Sequence, residues 1–431
     1  MHGPQRLAFW ILCGAMGLVT LTLATVATAV PLYAVALGLD AATVGLLVAL
    51  PNVFPMLLAV PAGRAVDGAG ALRWMLVASL GLISAPLLVA ALGGTLALVI
   101  AQLLLGLFHV FLTLASQAYV ATLGSRASFE RDFAWYSTSL AAGRLGGPLL
   151  AGVVIDAAGF RPAFAVVTVA LVLSAVLVSS LRRVGAAVDA RTPDAHAAST
   201  RTVAVGERSA RPRSDGAAAR PRAAPPPTRD GSWALLGNVG LQLAVLSSAG
   251  VFVAIAVRQA FLPVYLSELA YSATSIGALL SLGGLAAVLV RPVMPLLSRS
   301  LGGPARTLVL AMAAVAVGVG LTGLVSAYAA IAALTVLAGL GAGVGLPLSI
   351  VTVASHVDPR RRGTALGVRL SLNRVAQLVA PVAVGAVVAA SGFALGFALA
   401  GGALAALALL AAGRVRAFEA ADALDERGVM P

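Results

Sequence analysis

The sequence has no lysine and little charge of any kind. All 29 basic residues among its 431 are arginines. Without lysine, the chain can hold neither a G-x-x-x-x-G-K-[ST] phosphate loop nor a pyridoxal Schiff base. Charged residues make up 10 % of the chain and hydrophobic residues 60 %, whereas soluble proteins carry roughly 25 % charged residues. This composition excludes that type of ATPase site and predicts a polytopic α-helical membrane protein.

Groups that could perform chemistry are also scarce. The single cysteine, Cys13, excludes an internal disulfide and any Cys-x-x-Cys site. The four histidines are scattered, without an H-E-x-x-H motif: His2, His109, His196 and His356. We therefore expect no enzymatic activity, no cofactor and no metal site.

Long apolar stretches recur along the chain, and about 20 such residues span a bilayer as a helix. The first stretch is longer than the apolar region of a signal peptide, so we interpret it as a retained span. The twelve predicted spans are 8–36, 43–63, 74–92, 95–122, 132–157, 162–181, 238–266, 274–298, 306–325, 328–355, 363–390 and 393–413.

Between the sixth and seventh spans lies a segment rich in Ala, Pro, Ser and Arg that has no apolar periodicity. Such a composition is typical of disorder. We predict an N-terminal six-helix bundle (1–181), a disordered basic linker (182–232), a C-terminal six-helix bundle (233–413) and a tail (414–431).

The distribution of arginine predicts the orientation in the membrane. With the N-terminus in the cytoplasm, the outer loops hold one arginine, Arg161, while the linker alone holds ten. Such a positive-inside bias predicts a multi-pass protein of the cell membrane with both termini and the linker in the cytoplasm. The tryptophans fall at the predicted cytoplasmic ends of spans, where this residue favours the headgroup level: Trp10, Trp74, Trp135 and Trp233.

The two halves of the sequence match each other at a nearly fixed offset. Residues 30–50 parallel 262–282 at an offset of about 232, and later pairs follow at about 233. The pairs include Gly45 with Gly277, Gly70 with Gly302, Arg73 with Arg306, Pro148 with Pro381, Gly152 with Gly385, and Gly159 with Gly392. This repeat predicts an all-α membrane protein of 12 transmembrane helices, built as two parallel-repeat six-helix bundles, which is a transporter architecture.

At this point the chain resembles the major facilitator superfamily. The loop "GRAVDGAGALR" after the second span is similar to the family motif G-x-x-x-D-R-x-G-R-[RK] and keeps Gly63, Asp67, Gly70 and Arg73. Gly68 stands where the family has an arginine. The resemblance implies a gating loop at these four positions, with fewer charges than usual.

The fifth span carries "GRLGGPLLAG", similar to the G-x-x-x-G-P-x-x-G-G pattern of the drug–proton antiporter branch. Gly143, Gly147, Pro148 and Gly152 match it, and Ala151 replaces one glycine. The resemblance favours efflux. Physically, the glycines permit close helix packing, and the proline favours a bend.

Two arginines lie near the middle of predicted spans. Arg144 and Arg374 lie about 12 and about 11 residues into spans five and eleven, about 18 Å along a helix. A charge at that depth is costly and marks a wet cavity or a partner. The resemblance implies that these helices border a central cavity between the halves. The candidate translocation residues are His109, Gln117, Arg144, Arg258, Asn373, Arg374 and Gln377.

Structural roles stay open for these residues. The Asn, Gln and His side chains could make interhelical hydrogen bonds, and the arginines could pair with backbone carbonyls. Arg291, near a cytoplasmic end, is expected to snorkel.

None of the predicted spans carries an Asp or Glu at its centre. A positive cavity favours an anionic or zwitterionic solute, and His109 or an acid near a gate is the candidate proton carrier. We expect a monomeric secondary transporter that exports a small organic solute by alternating access, in contact with membrane lipid and not with nucleic acid. The alternatives are an uptake symporter or exchanger of the same fold, and a non-transporting receptor or assembly factor.

Overall fold

The computed structural model describes residues 3–123, 129–191, 237–357 and 361–426. Within these ranges the chain forms helices and short connections, without strands. The helices are α1 (Gly3–Ala36), α2 (Ala41–Ala49), α3 (Val53–Ala69), α4 (Ala71–Leu92), α5 (Gly94–Leu123), α6 (Phe129–Ala158), α7 (Phe160–Arg191), α8 (Val239–Glu268), α9 (Ala273–Leu289), α10 (Met294–Ser300), α11 (Pro304–Gly320), α12 (Tyr328–His356) and α13 (Arg362–Glu426).

The apolar helices account for the twelve predicted spans. Ten helices of the described residues are long and apolar enough to cross a membrane, and α9 with α10 forms a further span bent by 70°. The long helix α13 is interrupted at Gly392, whose φ of 83° and ψ of 172° are not helical. That break divides it into two spans.

Two of the predicted spans are interrupted within their own length, which the apolar pattern did not predict. Span two consists of α2, a 3₁₀ turn at Leu50–Asn52 and α3. Span eight breaks between α9 and α10, where Arg291 precedes Pro292. Each break contains a proline, which lacks the N–H that a continuous helix needs.

The backbone confirms the repeat. Gly70 and Gly302, which the sequence pairs, have φ of 89° and 83°. Gly159 and Gly392, a second pair, have φ of 89° and 83°. Residues with a Cβ rarely adopt such angles, so the same special turns recur at equivalent places in both halves.

Two helices extend beyond the predicted spans. α7 continues to Arg191, so the first ten residues of the predicted linker are helical, and the rest of that linker lies outside the described residues. α13 continues to Glu426 through most of the predicted tail. In the tail, Glu419 accepts hydrogen bonds from Arg306 of α11 at 2.8 and 3.3 Å.

Successive spans cross the molecule in alternate directions, so the start of α1, the end of α7 and the start of α8 share one side. We call it the linker side, and the opposite side the far side. The two halves pack together mainly on the far side: α6 lies along α9, and α13 contacts α2 more extensively than α3. This distribution of contacts indicates a cleft between the halves that opens toward the linker side.

Candidate translocation site

Glycines form the contacts that close the far side. Gly45 of α2 faces the carbonyl oxygen of Pro381, and Gly277 of α9 faces that of Pro148. In both places a Cβ atom would overlap the carbonyl oxygen. Because Gly45 pairs with Gly277 and Pro148 with Pro381 in the repeat, the two contacts are equivalent and lie on either side of the interface.

A carboxylate strengthens one of these contacts. Asp156 of α6 accepts the backbone N–H groups of Ala273 at 3.0 Å and Thr274 at 2.7 Å, the first residues of α9. The first N–H groups of a helix have no partner within it, and they attract a negative charge. Asp156 thus joins the N-terminal half to the C-terminal half.

The other contact has no such carboxylate. Ala389 occupies the position equivalent to Asp156. There, the acid at the start of α2 is Asp40, which accepts the N–H of Thr43 in its own helix at 3.0 Å. Hydrogen bonding to Thr43 lowers the pKa of Asp40. The closure between the halves is therefore asymmetric in charge, although its glycines are symmetric.

The neighbours of Arg144 on α6 show which way it faces. Gly143 packs on α1 at Gly17, and the carbonyl of Leu145 accepts a hydrogen bond from Ser281 of α9 at 2.7 Å. At about 100° per residue, Arg144 projects between these two contacts. Leu149 is 42 % exposed on the opposite side, the expected lipid face. The exposed Arg144 side chain therefore faces the centre of the molecule, not the lipid.

Arg374 faces the centre from the other half. It lies seven residues before Pro381, on the face of α13 that meets α2 on the far side. The exposed valines Val375 and Val379 lie on a different face. Arg374 is within electrostatic range of Arg144. The two arginines thus approach each other from opposite halves, just on the linker side of the closed contacts.

Two predicted residues of α5 lie in the same part of the molecule. His109 is partly exposed and is within electrostatic range of both Arg144 and Arg374. Gln117 lies eight residues further on, about two turns toward the linker side, and is exposed. His109 therefore lies beside the two arginines, and we call these three residues the arginine cluster.

The other predicted residues bond within the C-terminal half. Asn373 is 1 % exposed and accepts a hydrogen bond from Ser248 at 2.9 Å. Gln377 donates to the carbonyl of Asn373 at 3.3 Å. Arg258 lies between α8 and α12, where it donates to the carbonyl of Thr335 at 3.5 Å. Arg369, four residues before Asn373 on α13, is buried and donates to Ser349 at 2.6 Å. These contacts favour structural roles.

The predicted gating loop forms no charge pair among the described residues. Asp67 and Arg73 are both exposed, on either side of the Gly70 turn. Trp74 links the two helices by donating to the carbonyl of Ala65 at 2.7 Å. In the second half, Arg306, the repeat partner of Arg73, pairs with Glu419 instead.

The glycines of the fifth span serve close packing. Gly143 and Gly147 contact α1, where Thr25 donates to the carbonyl of Gly147 at 3.0 Å. Gly152 contacts the carbonyl of Ala273 on α9. α6 continues through Pro148, so the contacts show close packing at this motif. A bend at Pro148 stays a prediction.

Two further residues lie close to these contacts. The sequence does not indicate the bond of Asp156 to α9, because that bond depends on which helices meet. Arg291, which the sequence predicts to snorkel, is an electrostatic neighbour of Arg144. A basic residue before a proline within an apolar span was the available signal.

Solved transporter structures share this fold at low sequence identity. A bacterial homolog of the human lysosomal transporter Spinster, in an inward-facing and unoccupied conformation, matches with a TM-score of 0.72 and 12 % identity over 96 % of each chain. The nucleoside transporter NupG matches at 0.70 and 15 %, over 95 % of this chain and 100 % of its own. A POT family transporter in complex with 5-aminolevulinic acid matches at 0.70 and 13 %, over 93 % and 94 %.

No curated protein sequence matches the chain. The family model described as Major Facilitator Superfamily, in contrast, matches residues 12–334 and 248–423. Together these matches extend over most of the chain, and they agree with its twelve spans and its repeat. The protein belongs to the major facilitator superfamily.

Proposed function

We propose that the protein is a secondary active transporter that exports a small anionic or zwitterionic organic solute by alternating access. It acts as a monomer in the cell membrane, with both termini in the cytoplasm. The solute binds in the cleft between the halves, at Arg144 and Arg374. Closure of the far side and opening of the linker side correspond to one state of the cycle.

The observation that carries this proposal is the pair of arginines facing each other from the two halves. No carboxylate of the described residues is among the electrostatic neighbours of Arg144 or Arg374. At an effective dielectric of about 20, a unit charge at 4 Å contributes about 4 kcal/mol before desolvation. Even a fraction of that energy favours an anion over a cation strongly.

The direction of transport and the coupling ion are further parts of the proposal. The glycine–proline motif of α6 supports efflux by its resemblance to the drug–proton antiporters. Protons are the proposed coupling ion, with His109 as the candidate carrier because an imidazole titrates near neutral pH in its ordinary state. An anion bound at the two arginines would offset their positive charge and favour protonation of that imidazole.

Flux measurements in vesicles of known orientation test the proposal. Purified protein is reconstituted and supplied with small organic anions or with cations of similar size, with and without a pH gradient. We expect anions to move and cations to be excluded, with export stimulated by inward proton flow. Preferential movement of cations would contradict the assigned substrate charge, and movement only toward the linker side would replace export by uptake.

A further inference from the structure

Arg291 lies two residues after the end of α9, in line with the face of that helix that contacts α6. Gly277 faces Pro148, Ser281 donates to the carbonyl of Leu145 at 2.7 Å, and Gly284 lies 3.6 Å from Leu145 if a Cβ is placed on it. These positions are spaced by four and three residues, which keeps them on one helix face. The same spacing leads to residues 288 and 291.

The break in span eight places Arg291 in the turn that directly follows this face. α9 ends at Leu289, and the N–H of Arg291 bonds to the carbonyl of Val288 at 3.3 Å in the turn before Pro292. Arg291 is exposed and lies on the linker side of the contacts between α6 and α9, where the halves diverge. From there it is an electrostatic neighbour of Arg144.

Arg144 is therefore in electrostatic range of two other arginines of this cleft, Arg374 and Arg291, and no carboxylate of the described residues is among its electrostatic neighbours. Like charges that repel one another in a site favour a ligand that neutralises more than one of them. The planar guanidinium group also matches carboxylate and phosphate oxygens, to which it donates paired hydrogen bonds.

We propose that Arg291 is a third binding residue of the cleft, and that the solute is a small organic dianion, with either two carboxylates or one phosphate monoester. This inference rests on the proposed function. Arg144 and Arg374 hold one anionic group near the far side, and Arg291 contacts the second negative charge nearer the linker side.

Thermal stabilisation of the purified full-length protein tests the inference with ligand pairs of equal carbon number. Succinate is compared with butyrate, glutarate with valerate, and glycerol phosphate with glycerate. We expect dianions to bind at least about tenfold more tightly than their monoanionic partners. The two dicarboxylates and the phosphate monoester show which kind of dianion the site takes.

Arg291→Gln should reduce dianion affinity by about tenfold and leave monoanion affinity within about twofold. Arg299→Gln is the matched control, because Arg299 is also exposed, on the same bent span and on the linker side; it should change neither. Equal binding of monoanions and dianions, or equal effects of the two variants, would overturn the binding role of Arg291. Either result would leave the proposed anionic substrate standing. Absence of stabilisation by any of these anions would contradict both this inference and the proposed anionic substrate.

Discussion

At the scale of single residues, position in the span identified Arg144 and Arg374, but not their partners. Depth and lack of a central acid are readable from the sequence, and they predicted a charged cavity. The polar residues of span eleven were less informative as a group, because Asn373 faces Ser248 within its own half while Arg374, next to it, faces the opposite half. A difference of about 100° around the helix separates a packing residue from a candidate binding residue.

We expect Arg144→Gln and Arg374→Gln each to reduce the initial flux of an anionic substrate by about tenfold, a loss of about 1.4 kcal/mol of binding. Protein abundance should stay near that of the wild type. Lysine at either position should restore only part of the flux, since it loses the paired hydrogen bonds. Initial flux and abundance are measured side by side.

Arg64→Gln serves as the control, because Arg64 is an exposed residue of α3 outside the arginine cluster. It should leave the flux unchanged. If folded Arg144→Gln protein transports as the wild type does, the arginine is structural and its role in substrate selection is wrong.

The asymmetry between the two far-side contacts gives a second prediction. Asp156→Ala removes the acceptor for two N–H groups of α9, and hydrogen bonds to a charged group contribute about 1.5–3 kcal/mol each. We expect the far side to open more often. With Cys13 replaced, a cysteine at Ser267, which lines a cavity of about 250 Å³ at this junction, should react faster with an impermeant maleimide.

Asp40→Ala is the control, because Asp40 caps its own helix and does not join the halves. Its effect on labelling at Ser267 should be small. Equal acceleration by both substitutions would mean that loss of a helix cap, and not loss of the bond between the halves, opens the junction.

At the scale of elements, the apolar pattern predicted twelve spans and the repeat but not their interruptions. The breaks at Leu50–Asn52 and before Pro292 lie inside stretches whose average hydropathy stays high, so average hydropathy does not mark them. The consequence reaches the site, since Arg291 lies in the second break. Hydropathy also did not predict where α7 and α13 end, because a helix can continue past the end of an apolar stretch.

The glycine contacts give a prediction for the pairing of helices. Gly152→Val and Gly277→Val should each separate α6 from α9 on the far side, because even a Cβ atom would overlap a backbone carbonyl of the opposite half. We expect faster labelling of a cysteine at Ser267 and lower flux. Gly402→Val, at an exposed glycine with open space around it, is the control and should have neither effect. Unchanged labelling of the Gly152→Val and Gly277→Val variants would show that the contact between α6 and α9 tolerates added volume.

At the scale of the whole molecule, the repeat predicts that each half folds around its own helices. The linker has no periodic apolar residues to bury. Replacing residues 195–220 with a short flexible spacer should therefore leave a folded, monodisperse and active protein. Size-exclusion chromatography and flux measure the outcome, and aggregation of the shortened protein would show that the segment packs against the halves.

The orientation in the membrane is a separate prediction, based on the arginine distribution. With Cys13 replaced, a cysteine at Ser214 should be protected from impermeant reagents in intact cells and react after permeabilisation. A cysteine at Leu37, in the turn after α1, should show the reverse. Labelling of Ser214 in intact cells would invert the topology and, with it, the assigned direction of transport.

The helical tail of α13 increases the displacement that a tilt of the C-terminal half produces at its end. From residue 414 to Glu426 the helix extends by about 20 Å, and the pair of Glu419 with Arg306 ties it to α11. A tilt of that half by about 10° would swing the tip of a helix this long by roughly 3–4 Å. A spectroscopic label near residue 420 would therefore record the rocking of one half amplified at its tip, without any change to the residues that bind the solute.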